Sequence, residues 1–343
     1  MPLSLSDNSP FIAAIIVAVL AFVACVLILQ TLLRTGLAWR LATDIPNERS
    51  LHERPTPRVG GWGIVPAAAA ALLVCAPSMW LIAVCVLFLA AVSLIDDRRG
   101  LPARVRFAAH FIAVIAVIVT HPAAVPWWAL VVIGFLMLWL VNLYNFMDGS
   151  DGLAGGMALF GFAGYAAAAL AGPAPAPAFG LGLASIGIAG AAAGFLTLNF
   201  HPARIFLGDA GSISLGFLAG ALGYWGWQHG VWPIWFPALV FAPFIADASV
   251  TLVRRLARGE KFWRAHREHY YQRMVRMGFG HARTALVWYL FMAAGIILAN
   301  GALHCSLSMQ WLAVAGWAVV VVAAGAVVDA RWRRHETRRS EQL

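Results

Sequence analysis

The chain has 343 residues, of which 62% are hydrophobic and 11% charged, with a formal net charge of +9. Together with a mean hydropathy of +0.79, this composition excludes an ordinary soluble globular domain and indicates an integral membrane protein. Long runs of Leu, Val, Ala and Gly exclude the short alternating strands of a membrane barrel. The positive charge fits an inner lipid face better than nucleic acid, and no nucleic-acid partner is expected.

In chain order, Met1 to Pro10 lacks the basic region of a signal peptide, and the apolar run at 11–33 is too long for one, so this run is expected to remain as a helix. Membrane-length runs predict further helices near 60–77, 79–95, 107–121, 126–145, 153–171, 178–198, 212–229, 233–253, 284–303 and 309–329. The expectation is an all-α polytopic bundle of about eleven transmembrane helices forming a single domain over 1–343, with no internal repeat. An odd count places the termini on opposite sides. With the N-terminus periplasmic, the segments 34–59, 96–106, 146–152, 199–211, 254–283 and 330–343 are cytoplasmic, and they carry all 24 Lys and Arg residues. Cys25, Cys75, Cys85 and Cys305 fall in apolar runs without metal-ligand spacing and read as small packing residues.

Five of these inside segments carry chemistry. Asn142-Leu-Tyr-Asn-Phe-Met-Asp-Gly-Ser-Asp-Gly152 ends a span with Asn142, Asn145, Asp148 and Asp151 spaced three apart, and its glycines let backbone approach a ligand. Oxygen donors in this number suit a hard cation such as Mg2+, although a polar membrane-exit turn would also use them. Around His52, the first loop carries Arg49, Arg54 and Arg58, an anion-attracting strip or an ordinary basic inside loop. Asp96-Asp97 is a pair of adjacent carboxylates that needs a metal or basic partners, which Arg98 and Arg99 could supply; it suits metal binding, phosphate positioning or proton transfer, or is a solvated helix end.

In Asn199-Phe-His-Pro-Ala-Arg-Ile-Phe-Leu-Gly-Asp-Ala-Gly-Ser212, Asp209 lies between two glycines and Ser212 is placed to cap the next helix. The last large loop sets His266 and His269 three apart beside Arg267 and Arg273. That pattern suits phosphate gripping, a pair of metal ligands, or a basic amphipathic surface helix. His110, His121, His229 and His304 have no such company and read as satisfied or interfacial residues. Asp247, two turns before Arg254, is expected to pair with a basic group near the inner surface or to face a cavity.

On these motifs the chain resembles the polyprenyl-phosphate N-acetylhexosamine-1-phosphate transferases, the family that contains the peptidoglycan phospho-N-acetylmuramoyl-pentapeptide transferase and the enzymes that start O-antigen, enterobacterial common antigen and wall teichoic acid. The likeness runs from about Asp44 to Arg283. It implies Asp209 as a Mg2+ ligand with Asn145 as companion, Mn2+ being a substitute. It implies catalytic roles for Asp96, Asp97 and Asp148, and for His266 and His269 in a loop that closes on the pyrophosphate. Substrate-binding roles follow for Asn142, Asp151, Asn199, His52, Arg58 and Arg267, with Asp151 and Asn199 holding uridine.

The implied partners are a UDP-N-acetylhexosamine, undecaprenyl phosphate and membrane lipid, with a homodimer as one assembly open to the chain, in the bacterial inner membrane with the site on the cytoplasmic face. The first loop looks most like the O-antigen-initiating enzymes. Direct attack by the lipid phosphate and an aspartyl-phosphate intermediate are both compatible with these residues. A secondary transporter or lipid-linked sugar flippase is the alternative class, disfavoured because the polar groups sit at helix ends and not at the midplane of repeats.

Overall fold

The computed structural model describes residues 9–46, 54–173, 178–261 and 266–341. The apolar runs fold as helices because a backbone in hydrocarbon must bond to itself. In chain order these are α1 Ser9–Arg34, α2 Leu37–Leu41, α3 Gly61–Cys75, α4 Trp80–Arg99, α5 Ala103–Thr120, α6 Trp127–Phe146, α7 Leu153–Ala171, α8 Ala178–Asn199, α9 Asp209–Gln228, α10 Trp235–Val240, α11 Ala242–Ala257, α12 Tyr270–Met274, α13 Gly280–Ala302 and α14 Leu307–Ser340. Between α2 and α3, β1 Thr43–Asp44 and β2 Thr56–Pro57 form a short antiparallel ribbon, Thr43 opposite Pro57 and Asp44 opposite Thr56.

Each apolar run expected to span the membrane is helical, with one interruption: the run at 233–253 is divided at Phe241 into α10 and α11. Eight helical segments among the described residues are long and apolar enough to cross a bilayer, and α3 is a shorter apolar helix. The protein is a multi-pass helical membrane protein. The helix α9 falls outside that group, and every residue from Ala210 to Gly226 is buried, so its surroundings are protein.

Small residues let the neighbours of α9 come close. It packs against α3, α4 and α6, and a Cβ on Gly216 would stand 2.8 Å from the Val141 backbone of α6. The N-terminus of this innermost helix is where Asp209 sits. At the other extreme, α14 runs 34 residues along the outside and buries one side chain, Trp317.

Candidate active site

The site is assembled at the start of α9. The helix begins at Asp209, three residues earlier than expected, because Gly208 takes φ 72° and turns the chain into it. Ser212 is therefore inside the helix and does not cap it; its hydroxyl donates to Asn145 Oδ1 of α6 at 2.8 Å. Against this turn runs the loop from β2 to α3. Phe206 N–H donates to Pro57 O at 2.8 Å, Gly60 N–H to Phe206 O at 2.8 Å and Gly61 N–H to Leu207 O at 2.9 Å. A Cβ on Gly61 would stand 2.3 Å from the Gly211 nitrogen, so only glycine permits this approach. The consequence is a fixed pairing of Arg58 Nη2 with Asp209 Oδ1 at 2.9 Å.

Arg58 is the positive centre of an acidic group. Burial alone would lower its pKa, but Asp209, Asp97, Asp44 and Asp148 together raise it above the ordinary guanidinium value. Asp148, just beyond the end of α6, is pushed up to about 7, first by burial and then by the neighbouring Asp209 and Asp44, against the opposing pull of Arg58 and a hydrogen bond from the Gly208 backbone. A cavity of about 90 Å³ opens here, lined by Asp44, Arg58, Asp148, Asp151, Asn199 and His281 among others. Asp97 enters the same electrostatic group through Arg58 and Asp209.

Other expected site residues are placed differently. Asp96 accepts from Leu101 N–H at 2.7 Å and from Arg106 Nη1 at 3.1 Å, so its partner is Arg106 and neither Arg98 nor Arg99, and it secures the end of α4. Asn142 donates to Leu138 O of its own helix at 2.8 Å and does not line the cavity. Asp151 is buried, 2.7 Å from His201 Nδ1 and 3.1 Å from Ala203 N–H, which donates to it. Asn199 accepts from Gly152 N–H and donates to Ile205 O, both at 2.9 Å. Asp151 and Asn199 thus reach the cavity wall while tying the 149–152 turn to the 199–205 loop. His52 lies outside the described residues.

The loop before α12 approaches from another side. Asp247, 1% exposed, accepts from Tyr270 N–H at 2.9 Å and Tyr271 N–H at 3.1 Å, lies 3.2 Å from His269 Nδ1, and also accepts from Thr251. It does not pair with Arg254, which bonds Asp329 instead, because Asp247 faces the bundle interior. Tyr271 donates through its hydroxyl to Phe146 O at 3.2 Å, bringing α12 to the end of α6. The His269 ring lies beside Phe146 with centroids 6.4 Å apart. His266 lies 4.8 Å from His269, ring to ring, and its pKa is lowered to about 4 by burial and by the neighbouring His269 and Arg255. Its Nδ1 accepts from Glu268 N–H at 3.4 Å. Arg267 accepts at its carbonyl from Arg276 at 3.1 Å.

Three contributors were not anticipated. Asp44 lines the cavity from the ribbon. His281 Nδ1 lies 2.9 Å from the Ser150 hydroxyl, and its ring stacks on His201 at 5.4 Å. His110 of α5, expected to be a satisfied or interfacial residue, is buried, its Nδ1 has no partner among the described residues, and it interacts electrostatically with Asp209. Gly280-His281 just before an apolar run was the available signal for His281; nothing in the local pattern marks His110.

Residues 79–226 match the model of glycosyl transferase family 4. A decaprenyl-phosphate N-acetylglucosaminephosphotransferase of Mycobacterium tuberculosis is 30% identical over 88% of each chain. The chain belongs to the polyprenyl-phosphate N-acetylglucosamine-1-phosphate transferase family. A second relative, the probable undecaprenyl-phosphate N-acetylglucosaminyl 1-phosphate transferase of Bacillus subtilis, is 26% identical over 91% of this chain and 93% of its own. A phospho-N-acetylmuramoyl-pentapeptide-transferase of Chlorobium phaeobacteroides is 29% identical over 50% of this chain and 59% of its own. These relatives are transferases by name, and the transporter alternative gains no support from them.

For a phospho-sugar transferase of this family the implied inorganic partner is a divalent cation, and the residues fit one. Carboxylates and amide oxygens are hard donors, and Asp209, Asp97, Asp44 and Asp148 all lie within electrostatic reach of the one guanidinium of Arg58. Among the described residues no group of three or more acidic, His or Cys side chains is placed to hold a metal ion by itself. Mg2+ does not require one, since it commonly keeps water and substrate phosphates as ligands.

Proposed function

We propose that this protein transfers an N-acetylhexosamine-1-phosphate, or a 6-deoxy relative, from a UDP-sugar to undecaprenyl phosphate, beginning O-antigen or another envelope glycan. An oxygen of the lipid phosphate attacks the β-phosphorus of the donor, the bond from that phosphorus to the bridging oxygen breaks, and UMP leaves with the oxygen. The observation carrying this reading is the Arg58–Asp209 pair at the start of α9, with Asp148, Asp44 and Asp97 in the same electrostatic group beside a small polar cavity. It occurs in a chain that belongs to a family of such transferases.

Phosphoryl transfer needs positioning and charge neutralisation more than covalent help. Asp209 and Asn145 are the residues that would hold Mg2+, or Mn2+ in its place, which when bound supplies charge neutralisation at the pyrophosphate. Arg58 adds fixed positive charge from the opposite loop. Asp97 orients the acceptor phosphate, which at a second pKa of about 6 is already largely dianionic and needs no strong base. Asp148, whose ordinary acidity is lost to burial, is the carboxyl best matched to a proton at neutral pH. The neutral His266 donates a hydrogen bond to a phosphate oxygen, and Arg267 supplies charge beside it. Asp151 and Asn199 shape the wall for the uridine.

In the bacterial inner membrane, eleven spans with a periplasmic N-terminus and a cytoplasmic C-terminus put the site on the cytoplasmic face, where UDP-sugars are made. Topology reporters fused at each terminus test that arrangement.

The deciding assay combines purified protein, Mg2+, undecaprenyl phosphate and labelled UDP-N-acetylhexosamines, including 6-deoxy forms, and scores label in extractable lipid and UMP release. Transfer of one sugar, lost on chelation and restored by Mg2+, is the expected result. Absence of lipid product with every nucleotide sugar overturns the reading.

A further inference from the structure

We propose that α14 is a working part of the transfer site: Asp329, assisted by Trp332, is a positioning residue that holds the His266–His269 segment against the end of α6. This rests on the transferase reading for its kinetic consequence, but not for its geometry. The helix α12 has five residues, and an isolated single turn does not sustain itself in water. The segment after it carries Gly278 at φ 92°. Its position must therefore come from what grips it.

From the bundle interior the grip is Asp247, through the Tyr270 and Tyr271 amides. From the outside it is Asp329 of α14, which accepts four hydrogen bonds. Arg254 of α11 binds it with both Nη atoms at 2.9 and 2.7 Å, Arg273 of α12 donates at 2.9 Å, and the Tyr270 hydroxyl donates at 3.2 Å. The guanidinium carbons of Arg254 and Arg273 lie 5.5 and 5.6 Å from the Tyr270 ring centroid. About one turn further along α14, the Trp332 ring holds Arg276 at 4.7 Å, and Arg276 donates to the Arg267 carbonyl at 3.1 Å. Both ends of the segment bearing His269 and Arg267 are thus tied to α14.

On its far side, α12 meets the 146–149 turn that carries Asp148. The Tyr271 hydroxyl reaches Phe146 O, and a Cβ on Gly149 would stand 2.2 Å from that hydroxyl, so a shift of α12 is felt beside Asp148. With Trp317 its one buried side chain, α14 adds little to the apolar core. Its inner end instead places one carboxylate between two guanidinium groups that repel each other without it.

The test uses the full chain with Asp329→Asn, Asp329→Glu and Trp332→Ala, reading transfer kinetics and amide hydrogen exchange over 266–276. Asp329→Asn is expected to lower kcat roughly ten- to hundredfold, as loss of a group orienting site residues usually does. KM for the UDP-sugar should stay within about twofold. Exchange should quicken over 267–274 but not in α6, α7 or α9. Asp329→Glu is expected to restore most of the rate, and Trp332→Ala to give a smaller loss. Unchanged kcat and exchange in Asp329→Asn overturn the proposal. So does exchange that rises across the whole bundle with equal losses in the Asn and Glu variants, which would make Asp329 a general anchor. If the wild-type protein makes no lipid product, the transferase reading fails, while the exchange measurement still decides whether α14 holds α12.

Discussion

The start of α9 and the α12 segment are held by different forces. At the start of α9, the Arg58 loop and the Asp209 turn are joined backbone to backbone, with Gly61 and Gly211 in contact where no side chain fits. Beside the 146–149 turn, α12 is held by side-chain carboxylates, Asp247 within and Asp329 without. Backbone pairing between packed glycines has essentially one arrangement, whereas ion pairs near a membrane surface can open and re-form. The α9 side is therefore built to keep charge in one place, while the position of α12 depends on a few side-chain contacts.

Substitutions can break or sharpen that contrast. The largest effect is expected at Asp209→Asn, which should lower turnover by at least about a hundredfold, as loss of a preorganised charge does, without unfolding the bundle. Retained transfer from labelled UDP-sugar would remove Asp209 from the reaction. Asp247→Ala should come next. It strands two amides of α12, each costing roughly 1–3 kcal/mol when left unsatisfied, and should show as rapid exchange at 270–274 with α9 protected. Gly61→Ala should destabilise by roughly 1–3 kcal/mol through overpacking, seen as a lower melting temperature in detergent, and should impair activity in proportion as Arg58 is displaced from Asp209. Were Gly61→Ala silent in both, the rigid picture of the α9 side would be wrong.

Smaller effects are expected on the α12 side. Tyr271→Phe loses one hydrogen bond to the end of α6, worth about 1 kcal/mol, and should alter kcat more than melting temperature. The smallest is His266→Gln. With its pKa lowered to about 4, His266 binds fewer protons folded than unfolded, so its contribution to stability is fully present above pH 6.5 and is lost as pH falls toward 4. The Gln variant should flatten that acid limb in thermal scans. Transfer rates of the wild type should show no break near pH 6.5 that the variant removes.

Several features were legible in the chain because they depend on local composition. Apolar runs must become helices in lipid, so their positions could be read to within a few residues. The Asn145 to Asp151 stretch and the glycines around Asp209 announce close backbone approach and oxygen donors. The break in the 233–253 run was not legible, although Pro237 and Pro243 lie on either side of it. The sequence likewise could not separate the duties of neighbouring polar residues. Asp96 and Asp97 are adjacent, yet one is bonded to Arg106 and the other belongs to the group around Arg58. Asn142 and Asn145 are three apart, yet one bonds its own helix and the other Ser212. His110 looked solitary because its neighbour Asp209 is 99 positions away.

By itself the sequence determined that this is a polytopic helical protein with acidic, amide and basic side chains gathered at helix ends, because hydrophobicity and charge bias act residue by residue. Only the tertiary structure decided which of those groups share one charge centre and which serve as braces. It brought Arg58 to Asp209, Asp247 to the α12 amides and Asp329 to Arg254 and Arg273, since pairings across such separations depend on how helices pack and not on any local pattern.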